Sequence, residues 1–317
     1  MKIFRHIEEV AADFGPSIVT VGNFDGVHRA HQVVIAEVVN RARATGNKAI
    51  AVTFDPHPTR VLRPDAAPKL ITPTPVKLKL LAHTGLDAVL VLPFTRDLSL
   101  MKPREFAELV LVKTLRAREV HEGFNFHFGH RAEGNAERLA EFGREFEFQV
   151  TCYPALTIRG HVVSSSRVRQ LLAEGNVSRA RHLLGRIFSV VGNPGRGRGY
   201  GHKYTVPTIN LARYDEMVPG NGVYITRIRV AEETFDSVTN VGVRPTFGED
   251  SFAIESHLLN FHPIELTAQT EVELCFLKRL RDEQKFPSTD ALREQIAKDV
   301  HRARRFFHHL QRHQAQK

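Results

Sequence analysis

Two rhythms of apolar and polar positions divide this chain of 317 residues. As far as about Arg186, short apolar runs alternate with segments whose apolar residues recur at helical spacing. Ile18 to Val21, Ala49 to Phe54, Ala88 to Leu92, Arg118 to His121 and Phe146 to Thr151 read as strands. Residues 31–44, 75–83, 103–115 and 134–145 read as helices, and Ala173 to Gly185 as a further short one. This alternation predicts a parallel sheet with helices on both faces, with the ligand at the carboxyl ends of the strands. Beyond Arg186 the rhythm changes. Gly222 to Val230, Phe235 to Val241, Ile254 to Leu259 and Glu271 to Leu277 are strand-like with no helices between them, which predicts a small antiparallel barrel. Pro287 and Ser288 open a last helix, whose stripe of Leu292, Ile296, Val300, Ala303 and Phe307 is expected to pack on the barrel. Its basic opposite face reads as solvated, and residues after His308 as frayed.

The corner between the first strand and the first helix is Gly22-Asn23-Phe24-Asp25-Gly26-Val27-His28-Arg29-Ala30-His31. Asn, Asp and two glycines break the strand and allow a tight turn. Val34, Ile35, Val38, Val39 and Ala42 carry the helix behind it. His28 and His31, three residues apart, share a face where that helix begins. Free backbone N–H groups there, with the positive end of the dipole, favour an anion such as phosphate. Phe54-Asp55-Pro56-His57-Pro58 closes the second strand. Its prolines stop the strand and stiffen the loop, which leaves Asp55 readable as a solvated carboxylate.

After the fourth strand, Gly123-Phe124-Asn125-Phe126-His127-Phe128-Gly129 alternates aromatic with polar residues. The phenylalanines are either core or an apolar slot for a flat ring. Val163-Ser164-Ser165-Ser166-Arg167-Val168-Arg169 sets three hydroxyls before a helical run. Serine there is a good N-cap. The same geometry offers hydroxyls, backbone N–H groups and Arg169 to a triphosphate. In the second half, Gly195-Arg196-Gly197-Arg198-Gly199-Tyr200-Gly201 reads as a flexible loop or an Arg-Gly patch for RNA.

A formal charge of +9 with 17 histidines suits polyanionic substrates such as ATP, and equally suits nucleic acid. Cys152 and Cys275 form no CxxC or metal-ligand spacing, which fits a reducing cytosol. No apolar run is long enough to span a membrane, and Met1 to Arg5 show no signal-peptide pattern, so no membrane association is expected. There is no GxxxxGK[ST] sequence, which argues against a P-loop enzyme. A zinc site on His28 and His31 lacks a third ligand at a usual spacing. Oligomeric state does not follow from these features.

Gly-x-Phe-Asp-Gly-x-His-x-x-His, paired with the later Ser-Ser-Ser-x-Val-Arg, strongly resembles the signature of the nucleotidyltransferases that make FAD in bacteria. The wider pattern is similar to the bifunctional riboflavin kinase/FAD synthetase family along nearly the whole chain. Its second half rests on Pro207-Thr208-Ile209-Asn210, Asn240 to Phe247, Ile254-Glu255-Ser256-His257-Leu258-Leu259 and Leu280 to Phe286. The resemblance implies a Rossmann-like α/β nucleotidyltransferase domain over residues 1–186. It implies an antiparallel β-barrel riboflavin kinase domain with a C-terminal helix over 187–317, in a cytoplasmic enzyme. ATP would phosphorylate riboflavin to FMN, and a second ATP would adenylylate FMN to FAD with loss of pyrophosphate.

By the same resemblance, His28 and His31 hold the α-phosphate region and stabilise developing charge. Arg169, Ser164, Ser165 and Ser166 hold the leaving pyrophosphate, with Mg²⁺ assisting. Gly22, Phe24, Asp25, Gly26 and Asn125 complete the binding residues, with the loop around Asn125 on the flavin. In the barrel, Gly199, Gly201 and Lys203 wrap phosphates. Thr208 and Asn210 supply hard oxygens to Mg²⁺. Glu255 is the base that takes the ribityl 5′-hydroxyl proton. Its apolar neighbours are expected to desolvate it and raise its pKa.

The chain departs from the family at several points. Ala30 replaces a glycine, which is tolerable unless that position needs a positive φ. Asn125 stands where many relatives have Asp. His202 and Thr205 stand for Arg and Gly, with Lys203 as a replacement charge. Two other readings remain at this stage. The barrel is a regulatory flavin-binding module beside an adenylyltransferase, or the chain is a basic RNA-binding protein. The second lacks the paired stacking aromatics such proteins use, so no nucleic-acid partner is expected.

Overall fold

The structure is a computed structural model describing residues 1–195, 208–230, 232–243, 252–262, 266–267 and 269–315. It divides into two compact units, Met1–Arg167 and Val168–Lys317.

The first unit runs through β1 (Lys2–Phe4), β2 (Ser17–Val21), α1 (Arg29–Thr45), β3 (Lys48–Asp55) and α2 (Pro58–Leu62). It continues with α3 (Thr74–Ala82), β4 (Ala88–Pro93), α4 (Arg96–Leu100), α5 (Pro103–Phe106) and β5 (Ala117–Gly123). The hairpin β6 (His127–Phe128) and β7 (Gly134–Asn135), α6 (Ala136–Phe146), β8 (Gln149–Tyr153) and the hairpin β9 (Thr157–Ile158) and β10 (His161–Val162) complete it. The sheet order is β1-β4-β3-β2-β5-β8, and every pairing is parallel. Successive side chains leave a strand on opposite faces, so each face gathers its own layer. Ile18, Ala49, Ala51 and Val89 pack with Ile35 and Val38 of α1 and Leu81 of α3. Val19, Ile50, Val52, Leu90 and Val120 pack with Phe106, Leu111 and Leu139 on the other side. β2 is buried at all five positions, as a strand covered on both faces must be. Strand order reverses between β2 and β5, and a crevice at the carboxyl ends of these two strands is where such sheets take ligands.

The expected parallel sheet is therefore present, with local differences. The helix expected over 103–115 is α-helical only as far as Phe106 and continues through Ala107–Thr114 with wider π-type turns. The last strand begins at Gln149 rather than Phe146. α6 keeps Phe146, and Glu147 ends the helix in the left-handed region at φ 63°.

α7 (Ser165–Ala173) straddles the division. It is followed by α8 (Val177–Leu184), β11 (Phe188–Gly192), β12 (Thr208–Asn210), β13 (Gly222–Val230), β14 (Glu233–Val243), β15 (Phe252–Leu258), β16 (Val272–Arg281) and α9 (Thr289–Ala315). The strands form an antiparallel sheet in the order β11-β16-β13-β14-β15-β12. Its two edges meet. Gly195 N–H donates to Asn210 O at 2.8 Å and Ala212 N–H to Asn193 O at 2.9 Å, so the sheet closes into the expected barrel.

The sequence pattern divides the chain at Arg186; the compact units divide earlier. α8 packs on β11 and β16. Gly220 N–H holds Leu172 O at 2.8 Å, and Arg279 Nη1 holds Glu174 O at 3.3 Å, so the turn between the two helices is tied to the barrel.

α9 also differs from expectation. Ala303 and Phe307 are buried against Val223, Ile225 and Val238, but Leu292 and Ile296 stay exposed. The helix meets the barrel at Asp299, whose carboxylate accepts from Arg281 Nε at 2.9 Å, and the turns before it run past that contact. At its other end the helix continues to Ala315 instead of fraying after His308.

One face of the barrel strands carries a ladder of fully buried hydroxyls. Thr226 Oγ1 lies 2.7 Å from Ser237 Oγ and 2.6 Å from Thr239 Oγ1, which lies 2.8 Å from Ser256 Oγ. Buried hydroxyls are tolerated when they satisfy one another. Thr239→Val keeps the shape, takes from Ser256 Oγ its ladder partner and from Thr226 one of two, so it should lower stability by about 1–3 kcal/mol in chemical unfolding of the full chain.

Candidate active sites

The turn after β2 is built from strained backbone held by one carboxylate. Gly22 N–H continues the sheet by donating to Val52 O at 2.9 Å. Phe24 then takes φ 47° and Val27 φ 38°, a region disfavoured for bulky and β-branched residues and found where surrounding structure over-determines the backbone. Asp25, 3% exposed, provides that support. Its carboxylate accepts from Ile71 N–H at 3.2 Å, Thr72 N–H at 2.9 Å and Thr72 Oγ1 at 3.3 Å. Gly26 N–H donates to Thr72 Oγ1 at 2.9 Å. The turn delivers His28 to the N-cap of α1, where its Nδ1 accepts from His31 N–H at 3.4 Å. The two rings stack 3.6 Å apart at 13°, and His31 stands edge-on to Phe24. His31 Nδ1 is shielded and has no hydrogen-bond partner. Burial first, then His28 and Lys77, push the His31 pKa well down, so the ring is neutral at neutral pH. Ala30 lies in the first turn of α1 without a positive φ, which meets the condition for replacing glycine.

The serine segment joins this turn. Ser164 Oγ accepts from Arg167 N–H at 3.2 Å and caps α7. Ser165 Oγ donates to Asp25 O at 2.8 Å. Ser166 is exposed, and Arg169 follows one turn along α7, past the division between the units. In the loop after β5 the two readings of the phenylalanines separate. Phe128 is core and stacks on Phe126 at 5.1 Å, whereas Phe124 is 53% exposed beside exposed Asn125. Gly129 closes the loop at φ 73°, where an added Cβ would lie 2.6 Å from the Pro103 ring. Asp55 is not simply solvated: it accepts from Thr74 Oγ1 at 2.9 Å, while His57 caps α2 through Thr59 N–H at 3.3 Å.

Two buried groups here escaped the sequence reading. Glu122, 2% exposed, accepts from Val21 N–H at 2.6 Å, where β5 parts from β2. Burial pushes its pKa well above the carboxylate range. Lys77 of α3, 5% exposed, donates to Thr53 Oγ1 at 2.9 Å and to Asn23 O and Phe54 O at 3.2 Å each. The available signals were a Glu ending a buried strand and a Lys on the apolar face of α3 beside Leu78 and Leu81.

In the barrel, register assembles the second site. Asn210 lies opposite Glu255, and Thr208 opposite His257. Asn240 lies opposite Glu255 on its other side. Thr208, Asn210, Asn240, Glu255 and His257 therefore share the face opposite the hydroxyl ladder. Glu255, Asn210 and Asn240 are half-buried. The His257 pKa is lowered by burial and then by Arg304 of α9. Thr208 and Asn210 offer neutral hard oxygens, which suit a divalent cation whose charge is met by nucleotide phosphates. Among the described residues no group of three or more His, Cys, Asp or Glu is placed to hold a metal. Gly199, Gly201 and Lys203, with His202 and Thr205, lie outside the described residues.

Two family models match the chain: FAD synthetase over residues 11–167 and riboflavin kinase over residues 184–307. The bifunctional riboflavin kinase/FMN adenylyltransferase of Escherichia coli (strain K12) is 33% identical over 97% of this chain and 98% of its own length. This chain belongs to the bifunctional riboflavin kinase/FMN adenylyltransferase family. A relative of the same name from Pseudomonas fluorescens is 32% identical over 96% of this chain and 97% of its own. A crystal structure described as a macrolide-efflux protein from Streptococcus pneumoniae superposes with a TM-score of 0.85 at 26% identity, covering 95% of this chain and 98% of that one. Among the described residues here, no helix is long and apolar enough to cross a membrane. In the family's terms, the stacked histidines fall within the FAD synthetase match, and the Asn210–Glu255–Asn240 row within the riboflavin kinase match.

A carboxyl whose folded pKa lies above its unfolded value adds stability at low pH and loses it as pH rises through the folded pKa. Above roughly pH 5, the unfolding midpoint of the wild type should therefore fall more steeply than that of Glu122→Gln. The two midpoints should converge in acid, as thermal melts across pH would show.

Proposed function

We propose that this chain phosphorylates riboflavin to FMN with ATP in its barrel and adenylylates FMN to FAD with a second ATP in its α/β unit. The functional division is set at 1–186 and 187–317. The observation that carries the reading is the register that seats Glu255 between Asn210 and Asn240, inside the riboflavin kinase match. Its counterpart in the α/β unit is the stacked histidine pair at the start of α1.

In the kinase step, Glu255 takes the proton from the ribityl 5′-hydroxyl as that oxygen attacks the γ-phosphorus, and ADP leaves. General-base help of this kind contributes about 10²–10⁴-fold. Thr208 and Asn210 would hold Mg²⁺, which when bound neutralises phosphate charge; Gly199, Gly201 and Lys203 are assigned to the phosphates.

In the second step a phosphate oxygen of FMN attacks the α-phosphorus of ATP in line, and pyrophosphate departs. Such a displacement needs positioning and charge stabilisation more than a protein nucleophile. His28, His31 and the N–H groups opening α1 face the developing charge. Ser166 and Arg169 hold the pyrophosphate. Ser164, Ser165 and Asp25 act through the turn they support, with Gly22, Phe24 and Gly26 shaping it. Exposed Phe124 and Asn125 are assigned to the isoalloxazine ring. The chemistry is that of a cytoplasmic enzyme acting on small molecules, and no observation favours a purely regulatory barrel.

Incubation with riboflavin, ATP and Mg²⁺ should yield FMN and then FAD on product separation. Glu255→Gln should cut FMN formation at least about 100-fold while FMN-to-FAD conversion persists. The double variant His28→Ala/His31→Ala should do the reverse. Loss of both activities together in a folded variant would refute the division of labour.

A further inference from the structure

We propose that Lys77 is a positioning residue for adenylyl transfer: its buried ammonium ties the turn that presents His28 and His31 to the end of β3. The inference rests on the adenylyltransferase reading of that turn. Lys77 sits on the face of α3 that also buries Leu78 and Leu81, where an apolar residue would be the simpler occupant. Its three N–H donors meet three oxygens, Thr53 Oγ1, Asn23 O and Phe54 O, all on neutral groups. Two of these belong to β3, and the third is the carbonyl of the residue just before strained Phe24. The ammonium thus bridges the ends of adjacent strands at the point where the chain must turn back into α1. Burying a cation among neutral acceptors is costly, so its place here asks for a reason beyond packing.

The charged and titratable groups around it supply one. Asp25 of the turn and Asp55 at the end of β3 act on Lys77 electrostatically, and Lys77 in turn acts on His31 of α1, which stacks on His28. Burial lowers the Lys77 pKa to about 8, against the raising effect of the two aspartates. While charged, Lys77 holds all three ties and disfavours a proton on His31. When it loses its proton, the amine keeps two N–H donors for the carbonyls of Asn23 and Phe54, and its lone pair can only accept, so the Thr53 hydroxyl must turn to donate to it and give up its own bond to Asn23 O. A single residue thereby sets both the position of the histidine pair and its protonation.

The test uses the full chain. Lys77→Met keeps the length of the side chain and removes the charge. It should lower kcat for FMN-to-FAD conversion by roughly 10–100-fold, with KM for ATP little changed, because displacing the reacting groups slightly is enough for that loss. Riboflavin phosphorylation by the same sample should be unaffected. The His31 ring, followed by NMR in the absence of substrates, should titrate at higher pH than in the wild type. This readout separates failure of the inference from failure of the adenylyltransferase reading, since it requires no turnover. A folded Lys77→Met protein with wild-type rate, or one whose His31 titration does not move, overturns the proposal. If Lys77→Met does not fold, Lys77→Arg decides. Its guanidinium stays charged, so the alkaline decline of the adenylyl-transfer rate should move to higher pH. An unmoved decline overturns the proposal.

Discussion

Three segments far apart in the chain are held together at Asp25. Its carboxylate receives the backbone of Ile71 and Thr72, just before α3, and its carbonyl receives the Ser165 hydroxyl, at the start of α7. Hydrogen bonds to a charged group are the stronger kind, about 1.5–3 kcal/mol each, and here they offset two non-glycine residues in the left-handed region. The signature turn, the helix bearing Lys77 and the serine segment therefore share one geometry. The histidines gain a fixed place because the residue ahead of them anchors the turn.

The second unit solves a different problem. A small barrel has little interior, and this one spends part of a sheet face on hydroxyls rather than methyl groups. Mutual satisfaction of Thr226, Ser237, Thr239 and Ser256 pins the pairing of β13, β14 and β15. A slip by one residue would turn every side chain over. The register that buries Ser256 is the one that turns Glu255 outward between Asn210 and Asn240.

Much of this was legible in the sequence, for identifiable reasons. β2, β3 and β4 are covered on both faces and read as unbroken apolar runs. The strand ends, where Gly22 and Pro56 stand, mark the loops to which the chemistry is assigned. Glu255 was singled out through a local motif, although its half-buried place depends on strands that sequence alone does not align. Other features were hidden because their causes are long-range. Asp25 was expected to bind ligand, and nothing local shows that its carboxylate also accepts from a loop 46 residues away. Lys77 gives no signal except that it stands on an apolar face. Phe146 and Phe148 are apolar enough for a strand, but a left-handed Glu147 between them ends a helix. The stripe on α9 continues beyond the surface it covers, because helical periodicity is local and the extent of a docking face is not.

The closure of the barrel has an evolutionary consequence. The chain leaves at Gly195 and re-enters at Thr208 to Asn210, and the two points are bonded to each other. Whatever lies between them is closed by the barrel itself, so doubling the intervening length would cost only about 0.6 kcal/mol. Strand pairing is insulated from drift in that stretch.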